Sequence, residues 1–156
     1  MERNRTYECM CVLDNREVRK GWEPLKSAVT GLFTKHEAKV ISSRRWDERR
    51  LAYPINGQNR ATYLLVYFSS DTDAIGHLRR DLEFSEPVMR YMITDCAEVP
   101  QAAYEPEAEF DVNAIPGDDA TDEELEAVVE PATEESTDST DEVAAVESSD
   151  TSEESN

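Results

Sequence analysis

Between Thr6 and Leu13 apolar and polar side chains alternate. Tyr7, Cys9, Cys11 and Leu13 fall on one side and Glu8, Met10 and Val12 on the other, which predicts a strand. A three- and four-residue rhythm follows in Val18, Trp22, Leu25, Val29, Leu32 and Phe33, predicting a helix with one apolar stripe. Pro24 fits a helix only in its first turn, which points to a regular helix from about Glu23 to His36. Asp14 and Glu17 have capping-box spacing and point instead to an earlier, kinked start. Both starts stay open. An extended stretch runs from Lys39 to about Ile55, and Asn56-Gly57 behind it tolerates the positive φ of a primed hairpin turn. Ala61 to Ser69, rich in aromatic and branched residues, predicts a central strand. Ile75, Leu78 and Leu82 recur at helical spacing within Asp71 to Glu83, and Val88 to Thr94 predicts a last strand.

The order strand, helix, strand, strand, helix, strand is that of the split-βαβ, ferredoxin-like α+β arrangement (βαββαβ). It predicts a four-stranded antiparallel sheet with two helices on one face. The opposite face, assigned Glu8, Met10 and Val12 of the first strand and Leu64 of the third, stays bare and is the expected protein-partner face. On fold alone, a regulatory or ligand-sensing module that dimerises through this open sheet is an alternative function.

Charge divides the chain. All 16 basic residues lie within residues 1–100, beside 15 of the 35 acids, for a net charge of +1. Residues 101–156 hold the other 20 acids with no lysine or arginine. The expectation is a folded domain over 1–100 and a disordered acidic tail over 101–156, divided near Pro100, because so much self-repulsion and so little apolar surface leave backbone ordering uncompensated. Ala127-Val128-Val129 and Val143-Ala144-Ala145-Val146 are its short apolar patches, suited to transient helix or to a partner. The longest apolar run, Tyr63 to Phe68, is six residues, far short of a membrane helix, and the first residues read as no signal peptide. Three cysteines fit a reducing compartment, so a cytoplasmic location is expected.

Twelve of the sixteen bases are arginine, whose guanidinium fork can hold a phosphate through two parallel hydrogen bonds. Arg44, Arg45, Arg49, Arg50 and Arg60 gather in the second strand and just past its turn, Arg3 and Arg5 precede the first strand, and Arg90 lies in the last. One reading is phosphate contact along an RNA backbone. The other is an ordinary solvated edge neutralised by Asp47, Glu48 and helix acids, which a net charge of +1 favours slightly. An RNA-recognition motif with this topology would place stacking aromatics at the third and fifth positions of Arg60-Ala61-Thr62-Tyr63-Leu64-Leu65-Val66-Tyr67. Those positions are Thr62 and Leu64, so base stacking on the open face is not expected. Cys9, Cys11 and Cys96 with His36 or His77 have the composition of a zinc site, but no Cys-x-x-Cys pair exists and cysteine is commonly a small buried hydrophobe. No metal, cofactor, catalytic group or phosphate-cradling glycine loop is expected.

One string changes the balance. Arg49-Arg50-Leu51-Ala52-Tyr53-Pro54-Ile55 closely resembles the signature that ends the second strand in the bacterial ribosomal small-subunit protein six family. The resemblance spans roughly residues 5–99. It includes Tyr7-Glu8 and Val12-Leu13 in the first strand, Ala38-Lys39-Val40 entering the second, Tyr63, Leu78 and Leu82, and Val88-Met89-Arg90-Tyr91-Met92. It implies the ferredoxin-like fold and a non-enzymatic role. Family members bind the central domain of small-subunit ribosomal RNA as a heterodimer with small-subunit protein eighteen. By position, Arg49, Arg50 and Tyr53 match the motif, and Arg5 and Arg90 fall where the family often has bases. Pro24, Trp46 and the long tail depart from it, although some members carry glutamate-rich extensions. Proline fixes φ and restricts its neighbour, so Tyr53-Pro54 should stiffen the strand end that carries Arg49 and Arg50. Tyr53 itself suits RNA contact and edge packing equally. The tail's acids should point away from RNA or screen the arginines.

Overall fold

The structure, a computed structural model, describes residues 4–121. Strand β1 (Asn4–Asp14) leads into a short helix α1 (Asn15–Lys20) and a longer α2 (Trp22–Lys35). Strands β2 (Lys39–Ile55) and β3 (Gln58–Asp71) form a hairpin, followed by α3 (Ala74–Phe84) and β4 (Val88–Asp95). Two single 3₁₀ turns, Gln101–Tyr104 and Val112–Ala114, follow. All strand pairs are antiparallel, in the order β2-β3-β1-β4. This is the ferredoxin-like split βαβ fold that the periodicities predict.

Both helix starts exist. Asp14 caps α1 by accepting a hydrogen bond from the Arg16 N–H at 2.7 Å, and Gly21, at φ +155°, ends that helix before α2 begins. Pro24 then sits in the first turn of α2, where a missing N–H costs nothing.

The helices cover one face of the sheet. Cys9, Cys11 and Leu13 of β1 and Leu64, Val66 and Phe68 of β3 meet Val18, Val29 and Phe33 from one helical layer and Leu78 and Leu82 from α3, all essentially inaccessible to solvent. Phe68 is the aromatic hub: Tyr7 stacks on it at 5.5 Å and Phe33 meets it edge-on at 4.9 Å.

Two expectations are corrected here. Leu64 does not belong to the partner face. It pairs directly with Cys11, and side chains of paired residues share a face, so it lies under the helices. The β3 residues on the open face are Tyr63, Leu65 and Tyr67, opposite Val12, Met10 and Glu8. The chain also does not leave the domain at Pro100. Residues 101–121 pack against it, burying Ala103 and Ile115, while Phe110 and Val112 lie against the core. Apolar side chains spaced several residues apart in an acidic background each reach the domain surface separately. The apolar patches at 127–129 and 143–146 lie outside the described residues.

Phe68→Ala is expected to cost about 3–5 kcal/mol in chemical denaturation. Met92→Ala, on the exposed side of the sheet, is expected to stay within about 0.5 kcal/mol. Similar losses for the two variants would contradict this assignment of the core.

Candidate nucleic-acid interface

The hairpin between β2 and β3 carries the arginine string. Asn56 (φ +51°) and Gly57 (φ +74°) make a tight turn closed by the Ile55–Gln58 pair. Behind it the ladder breaks: the next registered pair is Arg50–Arg60, so Leu51 to Pro54 have too few partners on β3. Pro54 has no N–H to donate, and the four residues bulge out instead. The bulge is fastened at its base. Ile55 is buried with Ala61 and Met89, and Leu51 and Val12 pack against the same cluster. Tyr53 is thereby left 60% exposed, beside exposed Arg49 and Arg50.

Arg49 bonds Asp47 Oδ2 through Nε at 3.0 Å and Nη2 at 2.7 Å, with its guanidinium 5.3 Å from the Trp46 ring. Trp46 is 49% exposed and braced edge-on by Tyr63 at 5.8 Å. An exposed ion pair of this kind contributes only about 0.2–1 kcal/mol, so Arg49 is held in place yet readily exchanged to another anion. The Arg50 side chain makes no hydrogen bond or ion pair among the described residues. Arg90 is exposed on the open face opposite Val12, a member of the hairpin-base cluster, and so lies at the margin of the same surface.

The other sequence-assigned arginines lie elsewhere. Arg60 is corrected outright: its side chain is buried, bonded by Nε and Nη2 to the two oxygens of Glu48 at 3.0 Å each and by Nη1 to the Ala120 carbonyl. Glu48 also accepts from Asn15 Nδ2, and Asn15 Oδ1 accepts from Thr62. A guanidinium taken out of water must keep its carboxylate, so Arg60 is a structural cation and is removed from the RNA-contacting set. Arg5 pairs with Asp95 at 3.6 Å at the opposite end of the sheet. Nine residues of strand, roughly 30 Å, separate it from the row that holds Arg49. Arg3 lies outside the described residues.

Arg44 and Arg45 sit in mid-strand on opposite faces of β2, and both are engaged by the chain after Pro100. Arg44 Nη1 donates to the Ala102 carbonyl, and the Arg45 guanidinium lies 4.0 Å over the Phe110 ring. Glu107 is the hub of this segment. Its carboxylate accepts from the Arg45 backbone N–H at 2.8 Å, from Trp22 Nε1 at 3.2 Å and from Lys26 Nζ. Burial acts to raise the Glu107 pKa, but hydrogen bonds from Lys26, Arg45 and Trp22 outweigh it and hold the carboxyl below the usual glutamate range. Nothing in the acidic composition singled out Glu107 or Phe110, and Trp46 stood out only as a departure from a pattern.

The partner-face residues Glu8, Met10 and Val12 are half-buried on the open side. Met92, paired with Met10, is 55% exposed there. Burial and Glu8 beside it push the Tyr67 hydroxyl up to about 12, so it stays a neutral donor. Ala103 is buried on this face against Leu65 and Tyr67 of β3, with Ile41 of β2 and Met10 of β1 packed at the margin of the same cluster. The thiols do not converge. Cys9 and Cys11 are buried beneath the helices with sulfurs 3.6 Å apart, whereas Cys96 packs with Leu65, Tyr67 and Ala103 on the other face. His36 is committed to Asp81 at 2.9 Å.

The family described as ribosomal protein S6 matches residues 6–95. Small ribosomal subunit protein bS6 of Fusobacterium nucleatum is 33% identical over 89 residues, covering 57% of this chain and 95% of that protein. The bS6 of Rhodopirellula baltica is 32% identical over 90 residues, covering 58% of this chain and 64% of its own length. The crystal structure of 30S ribosomal protein S6 from Thermotoga maritima shares the fold, with a TM-score of 0.52 at 21% identity over 60% of this chain and 89% of that one. The segment anchored by Glu107 lies beyond the matched residues.

A carboxyl whose pKa is depressed on folding contributes stability that is complete above its unfolded value and lost as pH falls through the folded one. Melting temperature should therefore fall on acidification below about pH 5, and Glu107→Gln should flatten part of that fall. The remainder belongs to carboxylates such as Asp14, which burial raises but Arg16 lowers further. Identical pH profiles for the two proteins would contradict the role of Glu107.

Proposed function

Since the chain belongs to the ribosomal protein S6 family, a family of small-subunit proteins, we propose that it binds small-subunit ribosomal RNA through the braced end of the β2–β3 hairpin. The observation that carries this reading is the ladder break at Leu51 to Pro54, which holds Arg49, Arg50 and Tyr53 outward on a buried Ile55 anchor. Arg49 trades Asp47 for a phosphate while keeping its place over Trp46. Arg50 supplies a second fork, and the Tyr53 ring offers an apolar face to an unstacked base or a sugar. Arg90 adds a contact at the margin. Little reorganisation is needed, because the arginines start from a fixed strand instead of a loop.

The role is structural, and no reaction is assigned to it. By the same family reading, small-subunit ribosomal protein eighteen is the protein partner. The β1–β4 side of the open face, with exposed Met92 beside half-buried Met10 and Val12, is the surface suited to it. The location follows as the cytoplasmic ribosome. Among the described residues no helix is long and apolar enough to cross a membrane.

The protein should co-sediment stoichiometrically with small subunits in high salt. Arg49→Ala with Arg50→Ala should weaken binding to small-subunit ribosomal RNA by about tenfold or more and reduce its salt dependence. Unchanged affinity, or absence from the particles, would overturn the proposal.

A further inference from the structure

Strand β2 lies at the edge of the sheet, and the chain after Pro100 crosses that edge. Its first turn rests on the open face, where Ala102 takes the Arg44 guanidinium and Ala103 is buried against Leu65 and Tyr67. Five residues later Glu107 is on the helix side, bonded to Trp22 and Lys26 and capping the edge N–H of Arg45, with Phe110 stacked edge-on to Trp22 at 5.6 Å. Further along, Ile115 is buried in the core, and Asp118 accepts from the backbone N–H groups of Asn59 and Arg60. Residues 101–121 hold six acids and no base.

The two halves differ in kind. The second is built into the domain through Ile115, Asp118 and the buried Arg60. The first buries only Ala103 and half-buries Phe110, and its remaining contacts are exchangeable: the Ala102 and Ala103 carbonyls on Arg44 and Ser42, the Phe110 ring on Arg45, and one carboxylate shared among three donors. We propose that residues 101–111 are an internal stand-in for the RNA backbone: they occupy Arg44 and Arg45 in the free protein and are displaced from the β2 edge by RNA phosphates. This rests on the RNA-binding reading above and extends it. Binding then has two stages. The exposed hairpin engages first, and the edge arginines join only when the RNA offers phosphates placed to replace Ala102, Glu107 and Phe110 together. Short or poorly matched RNA does not offset the loss of these contacts, so the segment raises discrimination by lowering affinity for the wrong RNA.

The test is amide hydrogen exchange on the full chain, free and bound to transcribed small-subunit ribosomal RNA. Binding should speed exchange at the Arg45 amide and across 101–111 while slowing it in the hairpin at 49–55. Unchanged or slower exchange at Arg45 in the bound protein would overturn the inference. A second arm uses the double variant Glu107→Gln, Phe110→Ala, checked for cooperative unfolding and for a fast-exchanging Arg45 amide. With the competent form no longer a minority, its affinity for a 20-nucleotide RNA of mixed sequence should rise about tenfold, and Arg44→Ala with Arg45→Ala should remove the gain. If Arg49 and Arg50 matter for binding but release of the segment changes nothing, this inference alone fails. If neither protein binds RNA, the functional reading fails with it. Should the double variant not fold, the exchange measurement on the natural chain decides.

Discussion

Strand β2 is bonded to β3 along one side and, among the described residues, to no strand along the other, and it also carries four of the chain's exposed or half-exposed arginines. An edge of unpaired N–H and C=O groups invites pairing with another chain, and proteins blunt it with charge, bulges or a covering segment. All three devices are present. Arg44, Arg45, Arg49 and Arg50 supply charge, register shifts interrupt the ladder near Ile41, Trp46 and Leu51 to Pro54, and residues 101–111 lie across the middle. What protects the edge also shapes its surface. The last bulge turns a strand end into a projecting hairpin, and the covering segment leaves that hairpin as the accessible basic part of β2.

Below the edge the interior follows a different rule. Arg60 could not be buried without Glu48, and Glu48 in turn needs Asn15, which also accepts from Thr62. The Ala120 carbonyl takes a further guanidinium proton. Such a network contributes little net stability over an apolar core, but losing any member strands a charge. It ties α1, β2, β3 and the end of the described chain together beneath the hairpin, which makes the hairpin's base rigid. The aromatic hub at Phe68 does the same for the helical layer.

The order of elements was legible because each period is clean where one face is buried: Tyr7, Cys9, Cys11 and Leu13 alternate, and Leu78 and Leu82 fall on one helical stripe. The hairpin turn was legible for a local reason, since Asn56-Gly57 tolerates the positive φ it needs, whereas Pro54 was read only as stiffening the strand end and the bulge before it was not foreseen. Leu64 was placed on the wrong face because Leu64-Leu65-Val66-Tyr67-Phe68 is apolar on both sides and shows no alternation to set the register. Arg60 looked like its neighbours because its partner Glu48 is on another strand, a relation visible only once the register is known. The covering segment was hidden by averaging. Twenty acids describe residues 101–156 as a whole, whereas Ala103, Phe110 and Ile115 act one at a time. Trp46 was visible, but its work under Arg49 depends on a bulge that no composition encodes.

On the proposed reading, the braced hairpin is the first surface of this domain to meet ribosomal RNA. Ultraviolet cross-linking of intact small subunits, followed by mass spectrometry of the peptide–nucleotide adducts, addresses it directly. Adducts should concentrate on the tryptic peptides that span Trp46 to Arg60, above all on Tyr53. Adducts confined to the α2–α3 face, with that stretch unmodified, would contradict it.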